Sequence, residues 1–310
     1  MERVQKTLLM FGIPFITLLT LYMARDTDWI NLGRGLLGMG DGWMFLPMGL
    51  ALGSFLGAFA YSGGGGNLNL AQSYYIKEKG FGMGKYGLGI KSLLHGKDSI
   101  RIDGNLFRLT PTNLGRWRKW WGLVTREHGI VFWGLGLMTI LLLATLSAAT
   151  ASGLETSGGL SFFYAEGVAI GQATHKVVGS IFMVVGALML FTTQLGVLES
   201  ATRISSENFL LLRHSVREMV PSSRTFYTFL WLEIMLGVIY LMVGATEPRA
   251  LLTLGAILNA AAMMVTFPLI LTLNMKLPEA IRPSYFRRGM ILIAFSFFLY
   301  FVYQTILAAF

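Results

Sequence analysis

The sequence predicts an all-α polytopic membrane protein, a single transmembrane domain over residues 1–310 with about seven transmembrane helices. Three observations carry that expectation. The first is composition: 54% of the 310 residues are hydrophobic and 13% are charged, about half the roughly 25% charge of an ordinary soluble domain. A soluble chain of this length would have to cover two domains with polar surface, and the charges for that are missing. The second is a series of seven apolar runs, at about 7–23, 43–62, 129–152, 177–199, 226–244, 250–273 and 289–309, each near the ~20 residues that cross a hydrocarbon core. The third is where the cations sit. The N-terminus and the segments 76–128, 203–225 and 276–288 hold 2, 11, 4 and 4 basic residues, while the alternate loops hold only Arg25, Arg34, Lys176 and Arg249. Cytoplasmic loops retain positive charge, so the expected location is a cell inner membrane with the N-terminus inside and the C-terminus outside. The net charge of +9 is then a statement of topology, not of a nucleic-acid partner.

The elements follow in order. Met1 to Lys6 and the first apolar run imitate a signal peptide, but Tyr22-Met23-Ala24-Arg25-Asp26 lacks the small residues of a cleavage site, so the run is read as a retained span. No Gly follows Met1 and cysteine is absent, so no lipidation motif is available. Residues 24–42, rich in Gly, Asp and Trp, suit an ordered outer turn against the bilayer surface. The second run passes into Gly63-Gly64-Gly65-Gly66-Asn67-Leu68-Asn69-Leu70-Ala71-Gln72. Each interior glycine costs a helix about 1 kcal/mol relative to alanine, so four in succession predict a break, with a polar half-helix resuming through residue 75. Close helix packing, which spaces glycines four apart, and a loop at the membrane edge are the alternatives. Backbone opened at bilayer depth needs protein or a water-filled cavity around it, and discontinuous helices of this kind bind ions and substrates in secondary transporters.

The cytoplasmic segment 76–128 carries a strand-like patch at Ser99–Leu109 and then Gly115-Arg116-Trp117-Arg118-Lys119-Trp120-Trp121. Cations interleaved with Trp suit an interfacial helix on anionic lipid. Single-stranded nucleic acid would suit the same pattern, but the flanking spans favour the lipid bilayer as partner. Deeper in the membrane, Glu233 is costly unless paired or protonated. It is read either as part of a polar pathway with Gln194 or as a structural glutamate bonded to a neighbouring helix. Glu199 and Arg203, four apart, form a helical ion pair. Asn259 and Thr266, seven apart, share a face of the sixth run, and Pro268 just beyond frees a backbone carbonyl.

Catalytic signatures are missing. His95, His128, His175 and His214 lie in loops or at helix ends without a His-x-x-x-His pair, and no cysteine completes a zinc site. There is no nucleophile elbow, P-loop or dinucleotide fingerprint, and the last run has no lysine for a retinal Schiff base. The expectation is a non-enzyme without a resident cofactor.

The stretch Gly64-Gly65-Gly66-Asn67-Leu68-Asn69-Leu70-Ala71-Gln72-Ser73-Tyr74-Tyr75-Ile76-Lys77-Glu78-Lys79-Gly80-Phe81-Gly82-Met83-Gly84 resembles the sixth-helix region of Nramp-like divalent metal ion transporters, closest to divergent bacterial members. Phe191 to Arg203 is similar to that family's eighth helix, and Leu252 to Leu271, with Thr266-Phe267-Pro268, to its tenth. The resemblance implies that the seven spans are helices five to eleven of an eleven-helix LeuT-like fold. It implies a transported divalent cation, with proton coupling open, and carries a binding role to Gly65, Gly66 and Asn67 at the break, with Asn69 and Gln72 beyond it. Thr266 takes the place of a polar ligand on the tenth helix, so Asn67 and Thr266 are the implied metal ligands, with Asn259 on the same face. Two departures bear on this. Family members carry Met-Pro-His where this chain has Gly64-Gly65-Gly66; losing the soft sulfur favours harder, oxygen-liganded ions such as Mg. The first-helix Asp-Pro-Gly-Asn motif has no counterpart, which leaves open a fragment, a shortened relative, or one half of a pair whose second chain carries the missing helices. Transport of an organic solute on the same scaffold is the remaining alternative.

Overall fold

A computed structural model of the chain describes residues 2–39, 52–62, 68–78, 80, 100–101, 106–151, 160–213, 219–220, 222–243 and 248–309. Its elements are α1 (Glu2–Met23), α2 (Asp26–Leu36), α3 (Leu52–Ser62), α4 (Leu68–Glu78), β1 (Ile100–Arg101), α5 (Pro111–Glu127), a π-helix (His128–Leu135), α6 (Gly136–Ala151), α7 (Leu160–Ala173), α8 (Lys176–Arg213), β2 (Met219–Val220), α9 (Ser222–Met242), α10 (Pro248–Met275), a 3₁₀ turn (Glu279–Ile281) and α11 (Tyr285–Ala309). The architecture is helical, and among the described residues the only ladder is the antiparallel pairing of Ile100 with Val220 and Arg101 with Met219. Among the described residues six helical stretches are long and apolar enough to cross a membrane. The expected run at 43–62 is described only as α3, the residues before it lying outside the described set.

Several expectations need correction. The outer turn at 24–42 contains the helix α2, whose start is fixed by the Arg25 N–H donating to Asp28 Oδ2 at 2.8 Å. Asp26 and Asp28 sit in its first turn and Arg34 in its last, as the helix dipole favours. The loop expected after residue 152 contains α7. The span expected at 177–199 is the first part of a 38-residue helix, about 57 Å long at 1.5 Å per residue and well beyond a ~30 Å core. The loop expected from 203 is therefore helical through Arg213. Its buried face continues in helical register: Thr202, Ser206 and Leu210, at steps of four, are all buried. In the strand-like patch only Ile100–Arg101 pairs among the described residues. The Trp/Arg segment lies on a regular helix, α5, started by Thr110, whose Oγ1 accepts the Asn113 N–H at 3.3 Å, with Pro111 at the first helical position.

The chain divides into two compact units. The first comprises Met1–Ala51, Glu127–Leu195 and Glu247–Arg249. Its core is Leu19, Leu146, Ile170 and Phe182, one from each of α1, α6, α7 and α8, with Phe15, Met23, Phe163, Val178 and Met183 packed around them. Thr20, fully buried, donates to its own helix at Ile16 O, 2.8 Å, and lies 3.3 Å from Leu142 O on α6. That satisfies a hydroxyl that hydrocarbon cannot. Gly167 and Gly171 on α7, four apart, face Gly179 on α8: a Cβ on Gly179 would stand 2.9 Å from the Gly171 Cα and closer still to the Gly167 carbonyl oxygen. Small residues at this spacing let two backbones approach.

The second unit comprises Leu52–Arg126, Gly196–Thr246 and Ala250–Phe310. Here α3 and α11 interlock through rings: Phe55 on Phe301 at 5.0 Å, Phe59 on Phe297 at 4.4 Å and on Phe298 at 5.8 Å. Phe267 of α10 joins the same cluster against Phe298 at 5.8 Å. Gly57 of α3 also meets α10, since a Cβ there would sit 3.7 Å from Ala256 Cβ. The helix entering the glycine run is thereby held by aromatic area, the largest apolar contribution per side chain. The helix α10 continues through Pro268, which has no N–H to give to the Met264 carbonyl.

Candidate functional site

Two places concentrate polar groups among apolar helices, one in each unit. In the second unit the C-terminal part of α8 carries a polar seam. Thr202, fully buried, donates its Oγ1 proton to Glu233 Oε2 of α9 at 2.9 Å. One turn on, Glu207 shares a side-chain hydrogen bond with Tyr74 of α4, and Ser206 between them is buried and donates to Arg203 O at 3.2 Å. So α8 receives a carboxylate from α9 on one side and a phenol from α4 on the other. Arg203 holds Glu199 at 2.7 Å, the expected ion pair, and its guanidinium lies 5.5 Å from the Phe226 ring centroid of α9. Glu233 thus takes the form of a glutamate bonded to a neighbouring helix.

Gly65, Gly66 and Asn67 lie outside the described residues. Immediately beyond them, Asn69 and Gln72 stand three apart on the first two turns of α4, and Gln72 is half-buried. Asn259 and Thr266 are both half-buried on α10. Thr266 Oγ1 donates its proton to Ala262 O at 2.7 Å, which leaves the lone pairs of that oxygen as its acceptor capacity. Gln194 belongs to the first unit and is exposed; the others are in the second. Among the described residues no group of three or more His, Asp or Glu is placed to hold a metal ion. The side chains of Asn69, Gln72, Asn259 and Thr266 carry amide and hydroxyl oxygens, donor types that suit hard ions.

The first unit holds a group that sequence reasoning missed. Glu166 of α7 is 6% exposed, and its Oε1 lies 3.4 Å from the Thr150 hydroxyl of α6. That hydroxyl also donates to Leu146 O at 2.8 Å, so among the described residues the carboxyl has only a long, weak partner. Burial pushes the Glu166 carboxyl up from its ordinary value, the Thr150 bond pulling the other way. The folded chain therefore binds this proton more tightly than the unfolded chain. The stability it contributes is full below the unfolded pKa and is lost as pH rises through the folded one. Glu166→Gln is expected to match the unsubstituted protein in acid and to melt higher, by a few degrees, at neutral and alkaline pH. Thermal unfolding in detergent between about pH 4 and pH 8 reads this directly, the window bracketing an ordinary and a raised carboxyl. Equal melting curves across that range would contradict it. The signal available in the sequence was Glu166 preceding Gly167 and Gly171, an acid on the small-residue face of a helix assigned to a loop.

These helices define a multi-pass membrane protein. No family model, no curated protein and no solved structure matches the chain.

Proposed function

We propose that the chain moves divalent metal cations across the membrane, as the resemblance of Gly64–Gly84 to Nramp-like transporters implies. What supports the reading is the Gly63–Asn67 sequence set between α3, which ends at Ser62, and α4, which begins at Leu68 and carries Asn69 and Gln72 on its first turns. The half-buried residues Thr266 and Asn259 on α10 belong to the same unit as α3 and α4 and offer hydroxyl and amide oxygens. The ion is a hard one, because Gly64, Gly65 and Gly66 replace the soft sulfur of related transporters. Proton coupling would use carboxyls such as Glu233.

One observation supports a second reading, in which a separate chain supplies the missing helices. Only 6% of the apolar windows of α8 and of α9 is buried within the chain, so most of both helices awaits lipid or a partner. Reconstitution into liposomes with a metal-sensitive dye inside tests both readings. Uptake of Mg or Mn by the chain alone supports the first. Saturable cation binding without uptake supports the partner-dependent form. Competition by amino acids but not by cations would overturn both in favour of an organic solute.

A further inference from the structure

Among the cationic groups of the second unit are five arginines to which the transport reading gives no role. Arg116 and Arg118 stand on α5, Arg282 follows the 3₁₀ turn, and Arg287 and Arg288 sit in the first turn of α11. Among the described residues none of the five has a carboxylate partner. Three of them are nevertheless held in place. The Arg287 guanidinium lies 5.2 Å from the Trp121 ring centroid of α5, and Trp121 stacks on Trp117 at 5.6 Å and 11°. Arg282 Nε donates to Leu277 O and Arg288 Nε to Pro283 O, each at 2.9 Å, so both forks keep their terminal N–H groups for another acceptor. Arg288 also lies 4.8 Å from the Tyr285 ring centroid.

The Arg282, Arg287 and Arg288 guanidiniums, fixed by ring and backbone contacts and without a carboxylate partner among the described residues, are placed for an anion, and the fork geometry matches a phosphate. The rings beside them narrow the choice. On the helical wheel of α5, Arg116 and Arg118 flank the arc that carries Trp117, Trp120 and Trp121, while Tyr285 and Phe286 are 85% and 74% exposed. Aromatic rings flanked by cations sit at headgroup level. Moreover, α5 runs directly into the apolar stretch ending at Ala151, and α11 is itself an apolar membrane-length helix. Both groups of cations therefore stand where a chain enters hydrocarbon. We propose that the Trp face of α5 and the first turn of α11 form a binding surface for anionic phospholipid headgroups of the surrounding bilayer. The guanidiniums take the phosphate and the rings lie against the glycerol and upper acyl region.

The test compares the purified chain in nanodiscs of phosphatidylglycerol and of phosphatidylcholine, with native mass spectrometry counting retained lipid. Phosphatidylglycerol is expected to be retained in preference, and the preference to fall as salt rises, a measurement that needs no variant. The double substitutions R116Q/R118Q and R287Q/R288Q are expected to reduce the preference roughly fivefold for each charge removed. R34Q, which removes the same charge from α2, is expected to keep it. Equal retention of the two lipids, a preference indifferent to salt, or unchanged preference in both double variants would overturn the proposal. So would displacement of phosphatidylglycerol by inorganic phosphate, which identifies a free-anion site, or by a single-stranded oligonucleotide, which identifies a nucleic-acid face.

Discussion

Replacing Asn67 with Ala is expected to abolish cation uptake, or to weaken saturable cation binding if uptake needs a partner chain, while the protein still folds. A hard divalent cation gives up hydration only where enough oxygens stand in for water, and Mg in particular tolerates little departure from octahedral geometry. In the proposed site the glycines would contribute backbone carbonyl oxygens, which no side-chain substitution removes. Asn67 is the first side chain after the four glycines with an oxygen to contribute. Losing one first-contact oxygen should weaken binding on the order of tenfold to a hundredfold, as does the loss of supporting groups at metal sites. Asn67→Asp keeps an oxygen at the same reach and should retain binding. Thr266→Val should cost less than Asn67→Ala, because the Thr266 hydroxyl is already engaged with Ala262 O and offers only a lone pair. Isothermal titration with Mg and Mn orders the three variants. Full binding by Asn67→Ala would remove the cation assignment.

How far the molecule could be read in advance depended on which force set each feature. Membrane spans follow from an apolar length that lipid demands, so α1, α6, α9, α10 and α11 fall close to the expected runs. Helices that are short or carry charge leave no such trace. Asp26 to Leu36 and Leu160 to Ala173 look like loops to a charge count, yet α2 is fixed by the Asp28 side chain on the Arg25 N–H and α7 by the glycines that let it lie on α8. The extension of α8 past residue 203 was hidden for the same reason: its buried stripe of Thr202, Ser206 and Leu210 is two-thirds polar, so it reads as loop on hydropathy. In the polar seam Glu233 stood out alone because a carboxylate is costly among apolar residues. Its partner Thr202 and the Tyr74–Glu207 bond were not legible, since such pairs depend on which helices become neighbours. Glu166 escaped notice because a charge in a presumed loop costs nothing; only the packing of α6, α7 and α8 makes it buried.

That packing hinges on one position. Gly179→Leu is expected to destabilise the first unit by about 3 kcal/mol or more, the upper part of the range for overpacking. Such strain is usually relieved by rotating a flexible neighbour, as at Gly12, where the nearest atom to an added Cβ is the Met189 Cε at 2.8 Å. At Gly179 the opposing atoms are the Gly167 carbonyl oxygen and the Gly171 backbone, which can yield only by moving α7 as a whole. The control is Gly237→Ala on α9, where an added Cβ meets nothing within 4 Å and melting should be unchanged or slightly raised by helix propensity. Displacing α7 has a second consequence, because Glu166 is the residue before Gly167. If the helix lifts away from α8, water reaches the Glu166 carboxyl and the burial that raised its proton affinity is lost. Gly179→Leu should therefore melt lower and also lose the melting advantage that Glu166→Gln confers at neutral and alkaline pH, so the two substitutions are non-additive. A double-mutant cycle of melting temperatures at acid and neutral pH measures that coupling. Additive effects at both would mean that the α7–α8 contact and the buried carboxyl are independent features.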